Sequence, residues 1–414
     1  MEGHAEHIIQ LMLQLAVIFI VAKFAAEIAV RYIKVPQVLG ELFAGVIIGP
    51  FALGAIALGS FGPLFSGGHG HEIPPEIYFL GQVASLVLMF VVGIETNLEQ
   101  FLKYARKSFL IAIGGVIVPF SVGASLTVLF GFADSFMSIE ALFIGSILTA
   151  TSIGITARIL KDLESLDGPE GITILAAAVF DDVFGILVLA IVISLNETQT
   201  ISSSSILIIA VQAIGIWLAI TGASFILSKP LSKFISSFST EGALVAIPLG
   251  LALICAALAE HFGLAMIIGA YSFGLGMSNS KIKHDIEHQL HNIYNLLVPV
   301  FFVVMGMMVD LSAISAPVLV FGIVISLTAT LDKLIGSGVP AFFSGFNKIG
   351  SLRIGVGMIP RGEIALIIAG IGLSRGIIGT DLFGVSVIMT MSTTIIASII
   401  LPRLFKTNTD GVKK

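Results

Sequence analysis

The sequence predicts an all-α polytopic membrane protein, on the basis of its composition, its long apolar segments and the placement of its basic residues. Of 414 residues, 56% are hydrophobic and 11% are charged, and the mean hydropathy is +1.06. Soluble domains carry roughly a quarter charged residues, so the composition argues against a water-soluble enzyme, and no enzymatic activity is expected. The net charge of −5 argues against a nucleic-acid partner, and the single cysteine excludes a disulfide framework.

Apolar segments long enough to cross a bilayer follow one another along the whole chain. A membrane-spanning helix needs about 20 mostly apolar residues, and about thirteen segments meet this requirement. In chain order they are 8–32, 37–59, 76–95, 108–131, 139–160, 171–195, 204–228, 241–261, 264–278, 290–309, 314–338, 352–373 and 382–402. The segment 264–278 is short, so twelve spans are the alternative.

The basic residues predict the orientation of these spans. Seventeen of the 21 lysines and arginines lie in alternate connections or after the last span, whereas the opposite connections hold only Arg375. By the positive-inside rule, the N-terminus lies outside and the C-terminus lies in the cytoplasm. This arrangement requires an odd number of spans, which thirteen satisfies.

Two parts of the chain resemble each other and predict an internal repeat. Leu88–Leu98 reads LMFVVGIETNL and Val300–Leu311 reads VFFVVMGMMVDL. The third and tenth spans are then equivalent, and an odd offset between them gives the two copies opposite topology. Inverted repeats are typical of secondary transporters, which bind substrate at the midplane beside interrupted helices.

A few charged residues lie inside the predicted spans and are the best candidates for a functional site. Asp181 and Asp182 occupy the middle of an apolar segment, where a carboxylate is costly unless it has a partner or lines a water-filled path. Adjacent helical positions point about 100° apart, so one aspartate can meet a fixed cation while the other faces the substrate. Lys333 is the expected fixed partner, and the neighbouring Asp332 leaves the pairing open.

Two spans carry signals of helix interruption. In the fifth span, Thr151 and Ser152 lie in the hydroxyl-rich segment ILTATSIGITARIL, where side-chain oxygens and freed carbonyls can replace part of a cation's hydration shell. In the twelfth span, Pro360 removes a backbone hydrogen bond. Arg361 and Glu363 beside it are expected to satisfy the freed helix ends or to pair locally, rather than to contact substrate.

Together these residues resemble a known family. PQVLGELFAGVIIGP near the start, TATS in the fifth span, FDD in the sixth, Lys333 in the eleventh and GMIPRGE in the twelfth are similar to motifs of the bacterial monovalent cation:proton antiporters, second branch. The likeness is greatest to NapA-type sodium/proton antiporters with paired aspartates. It extends over residues 8–402.

This resemblance implies a fold and an assembly. The fold is a NhaA/NapA-like bundle of about thirteen helices in two inverted repeats, with the two interrupted helices crossed. The implied transport core comprises approximately 108–195 and 314–402, and the dimerisation part approximately 8–95 and 241–309, with 204–228 as a linking helix. A homodimer in a bacterial inner membrane and an elevator-type alternating-access mechanism are expected.

The resemblance also assigns roles to residues. Asp182 is the implied carrier of cation and proton, and Thr151 and Ser152 line the site of the transported cation. Asp181 pairs with Lys333 and releases it during the cycle. Arg361 and Glu363, next to Pro360, stabilise the broken twelfth span. No cofactor is expected.

The expected substrates are sodium or lithium and protons, in a role in pH homeostasis. Potassium-efflux members of the family commonly have another residue before the carrier aspartate and an appended nucleotide-binding domain. Here that residue is Asp181, only a dozen residues follow Pro402, and no G-x-G-x-x-G fingerprint stands in a strand–helix context. Potassium/proton exchange is therefore the alternative, followed by a sodium-coupled organic-anion symporter and an ion channel.

Overall fold

The computed structural model describes residues 2–57, 59, 62–65, 73–198, 203–309, 316–406 and 410–413, and α-helices dominate these ranges. A π-helical turn, Ala29–Ile33, and a 3-10 turn, Leu53–Ala55, add to them. The α-helices are α1 (Glu2–Ile28), α2 (Gln37–Ile48), α3 (Pro75–Glu95), α4 (Leu98–Leu129), α5 (Ile139–Thr149), α6 (Ile153–Asp162), α7 (Pro169–Thr198), α8 (Ser203–Ser236), α9 (Ala243–His261), α10 (Met266–Met277), α11 (Lys283–Met307), α12 (Ala316–Phe343), α13 (Lys348–Gly357), α14 (Glu363–Ser374) and α15 (Thr380–Phe405).

The helices confirm an all-helical polytopic membrane protein. Within the described ranges, 11 helical segments are long and apolar enough to cross a membrane, and Met266–Met277 and Ile364–Leu373 are shorter apolar helices. Many of the long helices expose large apolar side chains, as a lipid-facing surface requires. The count of thirteen spans stays a prediction.

Several helices differ from the predicted spans at their ends. α4 begins at Leu98 instead of 108, because the side chain of Asn97 caps it and accepts a hydrogen bond from the Gln100 backbone N–H at 3.1 Å. α11 begins at Lys283 with a polar first turn, which a search for apolar segments leaves out. In contrast, α2 ends at Ile48, far short of 59, where the extended Gly49 precedes Pro50.

Two predicted spans are each divided into a pair of helices. The segment 139–160 consists of α5 and α6, and 352–373 lies across α13 and α14. Ala150 and Ser152 have extended backbone conformations, with ψ of 128° and 102°. Each interruption frees carbonyl and N–H groups inside an apolar segment, so their hydrogen-bond partners must come from elsewhere.

The chain forms two compact units, residues 1–88 with 289–312 and residues 89–288 with 313–414. In the first unit, α1, α2, α3 and α11 contribute to an apolar core that includes Ile18, Phe65 and Val300. A methyl group at Gly45 would lie 1.9 Å from the carbonyl oxygen of Val303, and one at Gly306 would lie 2.0 Å from that of Leu42. The backbones of α2 and α11 therefore contact each other directly through glycine, as small residues permit in membrane helices.

This contact predicts that Gly45→Ala destabilises the protein. The added methyl group meets backbone atoms that cannot turn away, and overpacking of this kind costs about 1–3 kcal/mol. Gly222→Ala is the matched control, because no atom lies within 4 Å of a methyl group added there in α8. We expect the thermal midpoint in detergent to fall for Gly45→Ala and not for Gly222→Ala. Equal midpoints would contradict the close contact.

In the second unit, α12 lies against α4, α13 and α15. Its contact with α4 is close, since a methyl group at Gly114 would lie 2.1 Å from the carbonyl oxygen of Gly336. An apolar core of α5, α12, α14 and α15 residues, including Phe143 and Phe321, fills one part of this unit. The polar face of α12 that carries Lys333 is buried in the same unit.

Candidate functional site

The centre of the second unit contains a buried ion pair between α7 and α12. Lys333 Nζ lies 2.8 Å from Asp181 Oδ2 and 3.1 Å from Oδ1, and both side chains have 0% exposure. Lys333 also donates to the carbonyl oxygen of Thr149 at 3.0 Å. Thr149 is the last residue of α5, so the lysine satisfies a carbonyl that the helix interruption has freed. Lys333 therefore joins Asp181 to the broken helix.

A threonine of the same interruption completes the surroundings of Asp181. The Thr151 hydroxyl donates to Asp181 Oδ2 at 2.5 Å, and lies 3.4 Å from the carbonyl oxygen of Met358. Hydrogen bonds to a charged partner in a buried site are stronger than neutral ones. Both oxygens of Asp181 are thus in contact with the lysine of α12, and one of them also accepts from the threonine of the α5–α6 break.

The two interruptions contact each other directly. The backbone N–H of Ser152 donates to the carbonyl oxygen of Pro360 at 2.8 Å, and the Thr156 hydroxyl donates to the carbonyl oxygen of Gly357 at 2.8 Å. Gly362 is needed at this contact, because a methyl group there would lie 2.5 Å from Ser152 Oγ. Backbone groups freed by one break are therefore satisfied by the other.

A second buried charge pair lies beside the first. The Arg361 guanidinium donates to the carbonyl oxygens of Met358 and Ile359 at 3.3 and 3.1 Å, and its Nη2 lies 3.7 Å from Asp332 Oδ1. The Thr394 hydroxyl donates to the Arg361 carbonyl at 2.7 Å. Arg361 thus holds carbonyls of the α13–α14 break, while the Glu363 side chain lies outside the described part of the structure.

Asp182 is placed differently from its neighbour. It is 4% exposed and lines a cavity of about 280 Å³ that also contacts Asp181. α7, α14 and the turn after α9 supply most of the remaining lining, which is largely aliphatic. The helical geometry therefore places Asp181 on the ion pair and Asp182 on the cavity. Thr151 and Ser152 are buried at the α5–α6 break and directly follow the cavity-lining Ala150.

Among the described side chains, the centre contains three buried carboxylates and two buried cationic groups. Lys333 pairs with Asp181 and Arg361 lies near Asp332, while Asp182 lies beside the cavity. An ionised carboxylate in a buried, low-dielectric site is costly. A monovalent cation or a proton that binds Asp182 from the cavity lowers this cost.

Comparison with known proteins identifies the family. A family model described as "Sodium/hydrogen exchanger, transmembrane" matches residues 16–407. The chain belongs to the sodium/hydrogen exchanger family. The probable Na⁺/H⁺ antiporter GerT of Bacillus cereus is 37% identical over 376 residues, covering 91% of this chain and 94% of GerT. The Na⁺/H⁺-K⁺ antiporter GerN of Bacillus cereus is 33% identical over 97% of both chains.

A solved structure has a similar fold. The sodium proton antiporter MjNhaP1 of Methanocaldococcus jannaschii, at pH 8, matches with a TM-score of 0.68 at 19% identity, covering 96% of this chain and 99% of that chain. At this identity the match shows the exchanger fold alone. The closer resemblance to NapA-type exchangers stays a prediction.

Two features of this centre are not determined by the sequence. The sequence leaves open whether Asp332 or Lys333 pairs with Asp181; in the structure Lys333 pairs with Asp181, whereas Asp332 lies near Arg361. The sequence also does not single out Glu260, which lines the same cavity as Asp182. The one available signal was the position of Glu260 at the end of an apolar helix.

Proposed function

We propose that the protein is a secondary antiporter that exchanges sodium or lithium for protons, and that it is a transporter rather than an enzyme. The observation that carries this proposal is the buried carboxylate of Asp182, which lines a cavity beside the ion pair of Asp181 and Lys333. Membership of the sodium/hydrogen exchanger family and the names of the relatives GerT and GerN support it.

Competition at Asp182 is the proposed origin of antiport. A proton and a sodium ion both neutralise this carboxylate, so binding of one disfavours the other. Asp181 and Lys333 titrate together with Asp182 as a coupled group. If the protein changes between its two open states only when a cation or a proton occupies Asp182, no passage carries the empty, charged carboxylate.

The finer architecture belongs to this proposal. It comprises about thirteen spans in inverted repeats, a homodimer and an elevator-type movement of the proposed core, 108–195 with 314–402. The dimerisation part is 8–95 with 241–309, and 204–228 links the two. The proposed location is a bacterial inner membrane, with the N-terminus outside and the C-terminus in the cytoplasm.

Two alternatives concern the substrate. Potassium/proton exchange is favoured by one observation, the name of the relative GerN, which includes potassium. A sodium-coupled organic-anion symporter requires donors for an anionic group. The cavity beside Asp182 is lined by carboxylates and largely aliphatic residues, which favours a small cation instead.

Exchange in proteoliposomes with a pH-sensitive dye inside tests the proposal. Adding sodium or lithium outside acid-loaded vesicles is expected to raise the internal pH, whereas potassium at equal ionic strength is not. A response to potassium alone would favour the alternative, and no response to any of the three would reject cation/proton exchange. Protein-free vesicles are the control.

We further propose that exchange is electrogenic, with two protons for each cation. If Lys333 loses a proton when Asp181 releases it, net positive charge leaves the vesicle as sodium enters. An inside-positive potential then accelerates the exchange and an inside-negative potential slows it. Rates that do not depend on an imposed potential would reject this stoichiometry.

A further inference from the structure

The cavity beside Asp182 extends to the end of α9. Of its lining residues, three are ionisable: Asp181, Asp182 and Glu260. Glu260 lies in the last turn of α9 and is exposed, as is Gly263 in the turn that follows. The cavity of about 280 Å³ therefore connects a buried carboxylate to an exposed one at the surface of the unit.

The turn after α9 fixes the position of Glu260. Gly263 has a φ of +83°, which favours glycine, and its N–H donates to the Glu260 carbonyl oxygen at 2.9 Å. The Leu264 N–H donates to the Ala259 carbonyl oxygen at 2.9 Å, and these bonds close the end of the helix. The backbone of Glu260 is thus held at the mouth of the cavity.

The carboxylate of Glu260 is available to a mobile ion. Within the described residues, no hydrogen bond or ion pair joins it to another side chain, in contrast to Asp181 with its lysine and threonine. Its neighbour His261 makes an edge contact with Phe262, at 5.3 Å between ring centroids. A carboxylate without a fixed partner at the mouth of a low-dielectric cavity raises the local concentration of cations.

We propose that Glu260 recruits the monovalent cation at the mouth of the cavity and so raises the rate at which it reaches Asp182. This role rests on the proposed cation/proton exchange. Glu260 acts as a positioning residue, because it attracts the cation electrostatically toward the cavity. The oxygens of the buried site at Asp182 do not depend on it. The lysines Lys229 and Lys233 precede α9, so the predicted orientation places this mouth on the outer side of the membrane.

The test is Glu260→Gln, with exchange measured in right-side-out membrane vesicles at varied external sodium. We expect the KM for sodium to rise about fivefold at low ionic strength, the size expected for one nearby unscreened charge in water, with an unchanged maximal rate. Added choline chloride should remove the difference, because salt screens exposed charges. Glu260→Asp should retain most of the wild-type KM.

Glu241→Gln is the matched control. Glu241 is exposed just before the other end of α9 and does not line the cavity, so its variant should keep the wild-type KM. The proposal is overturned if Glu260→Gln keeps the wild-type KM, or if it loses maximal rate and salt does not alter the loss. Exchange by the wild type would still support the proposed function in either case.

A binding measurement separates the two proposals. Thermal stabilisation of the detergent-solubilised protein by sodium reports binding without transport. If the wild type binds sodium but does not exchange it, the proposed function fails. In that case, recruitment by Glu260 is still supported if Glu260→Gln needs more sodium for half-maximal stabilisation and added salt removes the difference. If sodium stabilises neither protein, both proposals are overturned.

Discussion

Asp182→Asn is expected to abolish exchange of sodium for protons. An amide neither carries a negative charge nor releases a proton at physiological pH, so the variant lacks the group for which the two substrates compete. The substitution also removes an ionisable carboxylate from the buried centre, so this position no longer needs a bound ion to become neutral. Dye-monitored exchange in proteoliposomes is expected to fall to the level of protein-free vesicles.

The same variant should fold normally. Asparagine has nearly the shape of aspartate, and removal of a buried charge lowers the cost of burial, so the thermal midpoint should equal or exceed that of the wild type. Asp381→Asn, at an exposed position in the first turn of α15, is the matched control and should retain exchange. Transport by Asp182→Asn at the wild-type rate would reject Asp182 as the carrier.

Among the substitutions predicted here, Lys333→Ala is expected to cause the largest loss of stability. The ammonium contacts both oxygens of Asp181 and the carbonyl of Thr149, and all of these lie away from water. Removing one partner of a buried ion pair costs about 3–5 kcal/mol, because the other charge is left uncompensated. The thermal midpoint should fall sharply, and transport should decrease.

A second substitution shows whether the loss arises from Asp181. Adding Asp181→Asn to Lys333→Ala removes the stranded carboxylate and should restore part of the lost stability. Lys348→Ala, at an exposed position at the start of α13, is the control and should leave the midpoint unchanged. If Lys333→Ala retains both its midpoint and its transport, the ion pair does not support the site.

The sequence predicts much of the fold because a helix that crosses a membrane requires a long apolar segment, which is visible in the composition. Apolar segments of sufficient length mark most of the helices, but they mark only the apolar part of each. The polar first turn of α11 and the Asn97 cap of α4 therefore lie outside the predicted spans. The early end of α2 depends on the local conformation of Gly49 before Pro50.

The sequence predicts the site only in part, because the contacts of the site join distant parts of the chain. Asp181 and Asp182 stand out as charges within an apolar helix, and Pro360 marks an interruption. The hydrogen bond from Ser152 to Pro360, the position of Arg361 near Asp332 and the presence of Glu260 at the cavity depend on how the helices pack. For Glu260 the sequence offers only its position at the end of an apolar helix, and for the other contacts it carries no signal.

In the proposed exchange, a cation and a proton compete for the carboxylate of Asp182. The most direct measurement is the number of protons released when sodium binds to the purified protein in detergent, by calorimetry in buffers of different ionisation enthalpy. At a pH where the site is protonated, the wild type is expected to release protons on binding, and Asp182→Asn is expected to show neither binding nor release. If sodium binds to the wild type without proton release at any pH, the cation and the proton do not compete for this carboxylate.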